Sequence, residues 1–498
     1  MNVNPITRLD YPDPDVIRVE DTYYMVSTTM HFMPGCEILQ SFDLVHWEHV
    51  TYVYETLDHT DAQQLKSGQN IYGQGMWAAS LRYHEGRFYI CFVANDTRKT
   101  YLYTSEKIDG PWKKQLIEGF YHDGSLLFDE DGRNYIVYGN DEIWITELNE
   151  DLTAPKKDGL HRLLVSDHKN PELGYEGSHI QKINGYYYIF LVHSLRDRWM
   201  RTEACFYSDS LEGEFTGGDV LCDDRGYCGQ GVAQGGIVDT PDGKWYAMLF
   251  QDSGAVGRIP ILLPVTWKDH FPVFGQNGHV PEEIEVHSTR QGYIYQPLVG
   301  SGDFCNGLLP RWQFNHDPDP RYYHLDALQG TYTITTREVC TELTQAVNTL
   351  TQRMSYPSCA AEVTVDASAL KEGDVAGLCA LQGCYAAVGI TKHHGKYEVL
   401  MLDKKEDGIL DMTEGTVVES HQMDFRLEAD FCNMKDEARC YYRVNKGDWL
   451  PIGTVHKLYF KLDHFTGCRF GLFCYAAEET GGSACFRDFK YYDVDEIS

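Results

Sequence analysis

Apolar and polar positions in the first half of the chain follow one recurring pattern: a short polar turn, then an aromatic-rich apolar strand. The pattern occurs at Glu20-Asp21-Thr22-Tyr23-Tyr24, Glu85-Gly86-Arg87-Phe88-Tyr89, Asp131-Gly132-Arg133-Asn134-Tyr135, Asn184-Gly185-Tyr186-Tyr187-Tyr188 and Asp242-Gly243-Lys244-Trp245-Tyr246. Four of the five carry an E-G, D-G or N-G step, which supplies the positive φ that a tight hairpin requires, so each predicts a β-hairpin. Tyr24, Tyr89, Tyr135, Tyr188 and Tyr246 are spaced 65, 46, 53 and 58 residues apart. Units of that size hold about four strands, and helical periodicity is nearly absent. The prediction is a five-bladed β-propeller from the N-terminus to about residue 290.

The register of the repeats carries the chemistry. Counting back 11 or 12 residues from each tyrosine reaches Asp13, Trp77, Asp123, Glu176 and Gln234. Matched positions of five blades converge on one mouth of the central channel, so three carboxylates, a tryptophan and a glutamine are expected to meet there. Packing like charges together is costly, and such a cluster points to acid–base chemistry. Taken singly, Pro12-Asp13-Pro14 reads as a rigid turn, Trp77 as core and Glu176 as a solvated loop acid; the shared register is what sets them apart.

After the strand-poor link at 281–299 the pattern changes. Ala360 to Val365, Tyr385 to Ile390, Tyr397 to Leu402, Arg439 to Val444, Arg469 to Tyr475 and Ala484 to Tyr492 are alternating strands joined by short polar turns. They predict a second, antiparallel β-sandwich domain over 303–498, making the protein all-β. His393-His394 falls at a hairpin tip and is assigned no function.

Composition narrows the function classes. With 43 Lys+Arg against 74 Asp+Glu, the formal charge of −31 excludes nucleic acid and anionic membranes as partners. Apolar runs such as Ile259 to Val265 fall far short of the roughly 18 residues a membrane span needs. Fifteen cysteines without a C-x-x-C pair fit reduced, mostly buried thiols. The first residues lack an apolar secretory segment, and a cytoplasmic location is expected.

Ordered along the chain, Asn4-Pro5 through Tyr11-Pro12-Asp13-Pro14-Asp15, Gly75-Met76-Trp77-Ala78, His122-Asp123-Gly124-Ser125-Leu126, Tyr175-Glu176-Gly177-Ser178-His179 and Gln251 to Pro260 resemble glycoside hydrolase family 43. That family comprises inverting β-xylosidases and α-L-arabinofuranosidases, and the resemblance spans essentially the whole chain. Leu343 to Arg353 and Leu381 to Tyr385 are similar to the concanavalin-like sandwich of its exo-acting members.

The resemblance implies that Asp13 is the general base, Glu176 the general acid, and Asp123 a third acid that tunes Glu176 and orients substrate. It implies that Arg258 holds a sugar hydroxyl and that Trp77 lies beneath the terminal sugar. His31 and Phe32 stand where members place aromatic pocket residues, and His179 stands near the acid. The chain departs from the family at Trp77-Ala78-Ala79, where Trp-Ala-Pro is frequent. It departs again at Gln234, where many members carry a histidine associated with calcium on the channel axis; glutamine there argues against that ion, and the hydrolysis itself needs no cofactor. An inverting reaction places its acid and base about 6.5–9.5 Å apart, a gap that facing blades supply.

The expected activity is therefore exo-hydrolysis of terminal α-L-arabinofuranosyl or β-D-xylosyl residues from xylan-, arabinoxylan- or arabinan-derived oligosaccharides. An endo-arabinanase would need an open groove, and the appended sandwich counts against it. A non-catalytic carbohydrate-binding propeller would be expected to have lost one of the acids.

Overall fold

Each turn-and-aromatic repeat is the hairpin joining the first two strands of a blade. The computed structural model describes residues 2–493. Blade one consists of Asp15–Val19, Thr22–Ser27, Gly35–Ser41 and Glu48–Tyr54, and blade two of Met76–His84, Arg87–Ala94, Lys99–Ser105 and Lys113–Ile117. Blade three runs through Ser125–Phe128, Asn134–Asn140, Glu142–Leu148 and His161–Ser166. Blade four holds Glu176–Ile183, Tyr186–Ser194, Arg201–Ser208 and Thr216–Leu221. Blade five holds Val232–Asp239, Trp245–Asp252, Arg258–Lys268 and Phe271–Phe274. All five are four-stranded antiparallel sheets in sequential order. Alternation along each strand sends apolar side chains to both faces, and separate apolar clusters fill the spaces between neighbouring blades.

The ring closes between blades five and one without exchanging a strand. Asn2–Val3 pairs with Glu283–Ile284, Asn4 exchanges hydrogen bonds with the backbone of Leu262, and Arg18 forms an ion pair with Asp239.

The C-terminal half is a concanavalin-like sandwich of a nine-stranded and a seven-stranded sheet, and no α-helix occurs among the described residues. Its core is made by inward residues of both sheets, among them Leu378, Val388 and Leu472 against Val363, Phe425 and Phe486, and it extends to Ala255, Val256 and Ile259 of the propeller. The two halves share more than this core. The short strand Phe32–Met33, between two strands of blade one, pairs with Phe314 and Asn315 and so becomes the edge of the nine-stranded sheet. Arg353 reaches back to Glu37, to the carbonyl of Asp10 and over the ring of Tyr11. All fifteen cysteines are free thiols, ten of them buried.

Candidate active site

The first strand of each blade is preceded or interrupted, near the channel mouth, by one residue with a left-handed backbone: Asp13, Ala78, Asp123, Gly177 and Gln234, with φ of 53°, 34°, 48°, 65° and 65°. This set corrects the register expected from tyrosine spacing. Asp13, Asp123 and Gln234 are equivalent, but Trp77 and Glu176 each lie one residue earlier. The reason lies in the hairpins: Tyr135 and Tyr246 stand eight residues from their partners Leu127 and Val238, whereas Tyr24, Tyr89 and Tyr188 stand seven from Ile17, Arg82 and Gln181, so the turn is one residue longer in blades three and five. The innermost strands of blades two, four and five also carry a β-bulge, between Trp77 and Ser80, Glu176 and His179, and Ala233 and Gly236. A bulge adds a residue and re-aims its side chain, so Trp77 and Glu176 still face the channel. Glycine is required at 177: besides its φ, a Cβ there would lie 2.7 Å from Cγ of Gln234.

Asp13, Trp77, Asp123, Glu176, Gln234 and Arg258 all line one cavity of about 600 Å³. Asp13, 6% exposed, accepts a hydrogen bond from the Thr28 hydroxyl at 2.6 Å, and its other oxygen lies 3.3 Å from Arg258 Nη1. Thr28 is fixed in turn by the N–H of Ala78, at 2.8 Å. Across the cavity, Asp123 accepts the N–H of Gly177 at 2.9 Å, and Glu176 accepts from Asn140 Nδ2 at 2.7 Å.

His122 Nε2 stands 3.5 Å from an oxygen of Asp123 and 3.5 Å from one of Glu176, and the three donor atoms lie within 4.8 Å of one another. Burial, then the charges of Glu176 and Asp13, push the Asp123 carboxyl up to about 6 despite the opposing pull of His122. The negative charge of Asp123 leads the causes that raise His122 to about 9, followed by its contact with Glu176. The cluster thus sets an imidazole between two carboxyl groups, so that the titration of each depends on the charge of the others.

The remaining wall comes from the sandwich. Met434, Phe460, Lys461, Leu462 and Phe465 line the cavity beside propeller residues. The Phe465 ring lies 5.4 Å from that of Trp77 and 4.3 Å from the Arg258 guanidinium, and its carbonyl accepts from Arg258 Nη2 at 3.4 Å. Asp10 ties these parts together: one oxygen accepts the N–H of Arg258 and the other the N–H of Gly467, each at 2.8 Å. At the rim stand Glu172, Leu173 and Trp199, the last 42% exposed with its ring 5.3 Å from the Arg201 guanidinium, which pairs with Asp252.

His31 and Phe32 do not line the cavity, contrary to the expectation for them. Both are fully buried between the two halves, His31 against Phe32, Tyr72, His316 and His464, and Phe32 beneath Arg469. The pairing of 32–33 into the sandwich sheet draws them away from the channel, and the neighbouring Met30 reaches it instead. His179 lies deeper on the axis, bonded to Asp15 rather than to Glu176. Sequence reasoning missed His122, Asn140, Arg201 and the sandwich wall. Only His122 had a usable signal, its adjacency to Asp123 within the quoted motif.

The deeper axis offers a poor cradle for an ion. Gln234 lines the cavity, but below it blade five presents Gly236, which has no side-chain donor, and both oxygens of Asp15 are already bonded, to His179, Arg82 and the N–H of Leu81. A calcium ion does not fit that donor set.

These features have counterparts in known proteins. Residues 3–272 match the family model described as Glycosyl hydrolases family 43, and residues 302–492 match that of the Beta xylosidase C-terminal Concanavalin A-like domain. A β-xylosidase of Formosa agariphila is 26% identical over 99% of this chain and 89% of its own length. A non-reducing end α-L-arabinofuranosidase of Bacteroides ovatus is 25% identical over 66% of this chain and 63% of its own. The solved structure of a bifunctional GH43-CE protein of Bacteroides eggerthii superposes with a TM-score of 0.92 at 42% identity, covering 99% of this chain; this chain spans 64% of that protein. The propeller match alone takes in more than half of the residues and includes every acid that converges on the cavity, so the chain belongs to glycosyl hydrolase family 43.

Proposed function

We propose that this protein is an exo-acting, inverting glycosidase that removes terminal non-reducing α-L-arabinofuranosyl or β-D-xylosyl residues from oligosaccharides derived from xylan, arabinoxylan or arabinan. The observation that carries the reading is the capped cavity: three propeller carboxylates face a space walled on its far side by Phe460, Leu462 and Phe465 of the sandwich. A pocket closed in this way accepts a chain end, whereas an endo-acting enzyme needs a groove open at both sides. Relatives named β-xylosidase and α-L-arabinofuranosidase support both sugars.

In this reading the terminal ring lies over Trp77, with Arg258 beside Asp13. Asp13 takes a proton from a water that attacks the anomeric carbon, while Glu176 gives its proton to the leaving oxygen on the opposite face, so the configuration inverts. Asp123 fixes the N–H of Gly177 and with it the backbone that carries Glu176. The enzyme's own acid, base and water complete the reaction.

The test is hydrolysis of a matched pair of aryl glycosides, α-L-arabinofuranoside and β-D-xylopyranoside, by wild type and by Asp13→Ala and Glu176→Ala, with the product anomer followed by NMR. Turnover with inversion that collapses in both variants is expected. Wild-type turnover retained in either variant, or a retained anomeric configuration, overturns the assignment.

A further inference from the structure

Two residues deeper than the left-handed positions lies a second ring: Asp15, Ser80, Ser125, His179 and Gly236, one per blade. Three of its members follow one rule, in which the side chain accepts an N–H from the innermost strand of the next blade. Asp15 accepts from Leu81 at 2.7 Å, Ser80 from Leu126 at 3.1 Å, and Ser125 from Ile180 at 3.0 Å. His179 Nδ1 then crosses from blade four to Asp15 of blade one, at 3.1 Å.

The side chain of Arg82 gathers this ring. Its Nη1 donates to Asp15 at 2.8 Å and its Nη2 to the Ser125 hydroxyl at 2.7 Å. Nε donates to the carbonyl of Leu126 at 2.8 Å, and Nη2 also approaches the carbonyl of Ile180 at 3.2 Å. One planar guanidinium therefore joins the innermost strands of blades one, three and four to its own blade two. Asp15 and Ser125 lie two residues from Asp13 and Asp123, and His179 three from Glu176. Arg82 itself does not line the catalytic cavity; it borders a separate space of about 460 Å³ at the opposite mouth of the channel.

We propose that Arg82 is a positioning residue that holds the innermost strands of blades one, three and four in place and thereby sets the spacing of Asp13, Asp123 and Glu176. The proposal rests on the glycosidase reading for its activity readout. The physical basis is the steep dependence of catalysis on placement: a 1 Å displacement of a reacting group costs about 10²-fold in rate. Lysine keeps the charge but loses the fork that reaches three strands at once, so it is a poor substitute.

The experiment compares the full-length wild type with Arg82→Lys, Arg82→Met and Ser125→Ala, measuring kcat, KM and melting temperature with and without EDTA. Arg82→Met is expected to lower kcat by about 10²-fold while KM stays within about threefold, and Arg82→Lys to recover little of that loss. Ser125→Ala, which removes the bonds from Arg82 Nη2 and from the Ile180 N–H, is expected to lower kcat by roughly three- to tenfold. EDTA is expected to leave the wild-type melting temperature unchanged, since the axis carries its own cation. Folded variants with wild-type kcat, whatever their melting temperature, overturn the proposal. If neither Arg82 variant folds, an unchanged kcat in Ser125→Ala overturns it. A wild type inactive on every glycoside sinks the glycosidase reading instead; the brace is then judged from crystal structures, where Ser125→Ala must show a changed Asp13-to-Glu176 separation and an unchanged one refutes it.

Discussion

Trp77 of the second blade and Phe465 of the sandwich meet ring to ring, 5.4 Å between centroids and 45° between planes. The contact makes the second domain part of the pocket rather than an appendage. Phe465 also covers the guanidinium of Arg258 while accepting from it through its carbonyl, and Arg258 lies against Asp13. A chain of direct contacts thus runs from the sandwich loop to the carboxylate of Asp13.

Phe465→Ala should therefore weaken catalysis without unfolding the protein. Losing the ring forfeits about 1.5–3 kcal/mol of apolar contact, or roughly 10- to 100-fold in kcat/KM. Steady-state kinetics on the preferred aryl glycoside, alongside a melting curve, measure this. A kcat/KM within a factor of two of wild type would show that the sandwich only borders the site.

Asp123 and His122 give the site a pH signature. A carboxyl raised to about 6 in the folded state holds its proton more tightly there than in the unfolded chain, so stability falls as pH rises from the ordinary carboxylate range through about 6. A histidine raised to about 9 contributes stability that is complete below its ordinary value, near 6.5, and lost as pH climbs through about 9. In Asp123→Asn the His122 titration should fall back toward the ordinary imidazole range, and the stability loss between those two values should largely vanish. NMR titration of the ring and calorimetry across pH measure both; a His122 titration that stays put contradicts the contact.

Trp199, exposed at the rim, is placed to receive the sugar that follows the scissile bond. Trp199→Ala is expected to raise KM for a trisaccharide by about 5- to 30-fold, the loss of a stacking contact of about 1–2 kcal/mol. A small alkyl glycoside of the same terminal sugar should be nearly unaffected. Equal losses on both substrates would place Trp199 elsewhere in the reaction.

At Gly177, alanine meets two obstacles, a φ of +65° and a Cβ position 2.7 Å from Gln234 Cγ. The left-handed backbone alone costs about 1 kcal/mol, and relief of the clash must shift either the Gln234 side chain that lines the cavity or the strand that carries Glu176. Gly177→Ala should lower the melting temperature by a few degrees and reduce kcat more than KM. Unchanged kcat would mean that the backbone at 177 does not set the position of the acid.

Much of this architecture was legible in the chain itself. The five hairpins rest on turn residues and aromatic alternation, both local properties, and each appears where the pattern puts it; the strand from Arg469 to Tyr475 was delimited to the residue. The acids at 13, 123 and 176 were found because a repeated fold brings repeated positions to one axis. Tertiary structure alone decided what depends on partners distant in sequence. The bulges that re-aim Trp77 and Glu176, the burial of His31 and Phe32 against the sandwich, the closure of the pocket by a loop 207 residues from Arg258, and the four strands gathered by Arg82 leave no periodic trace. Hydrophobic alternation specifies which face of a strand turns inward; which side chains meet there is set by how whole sheets pack.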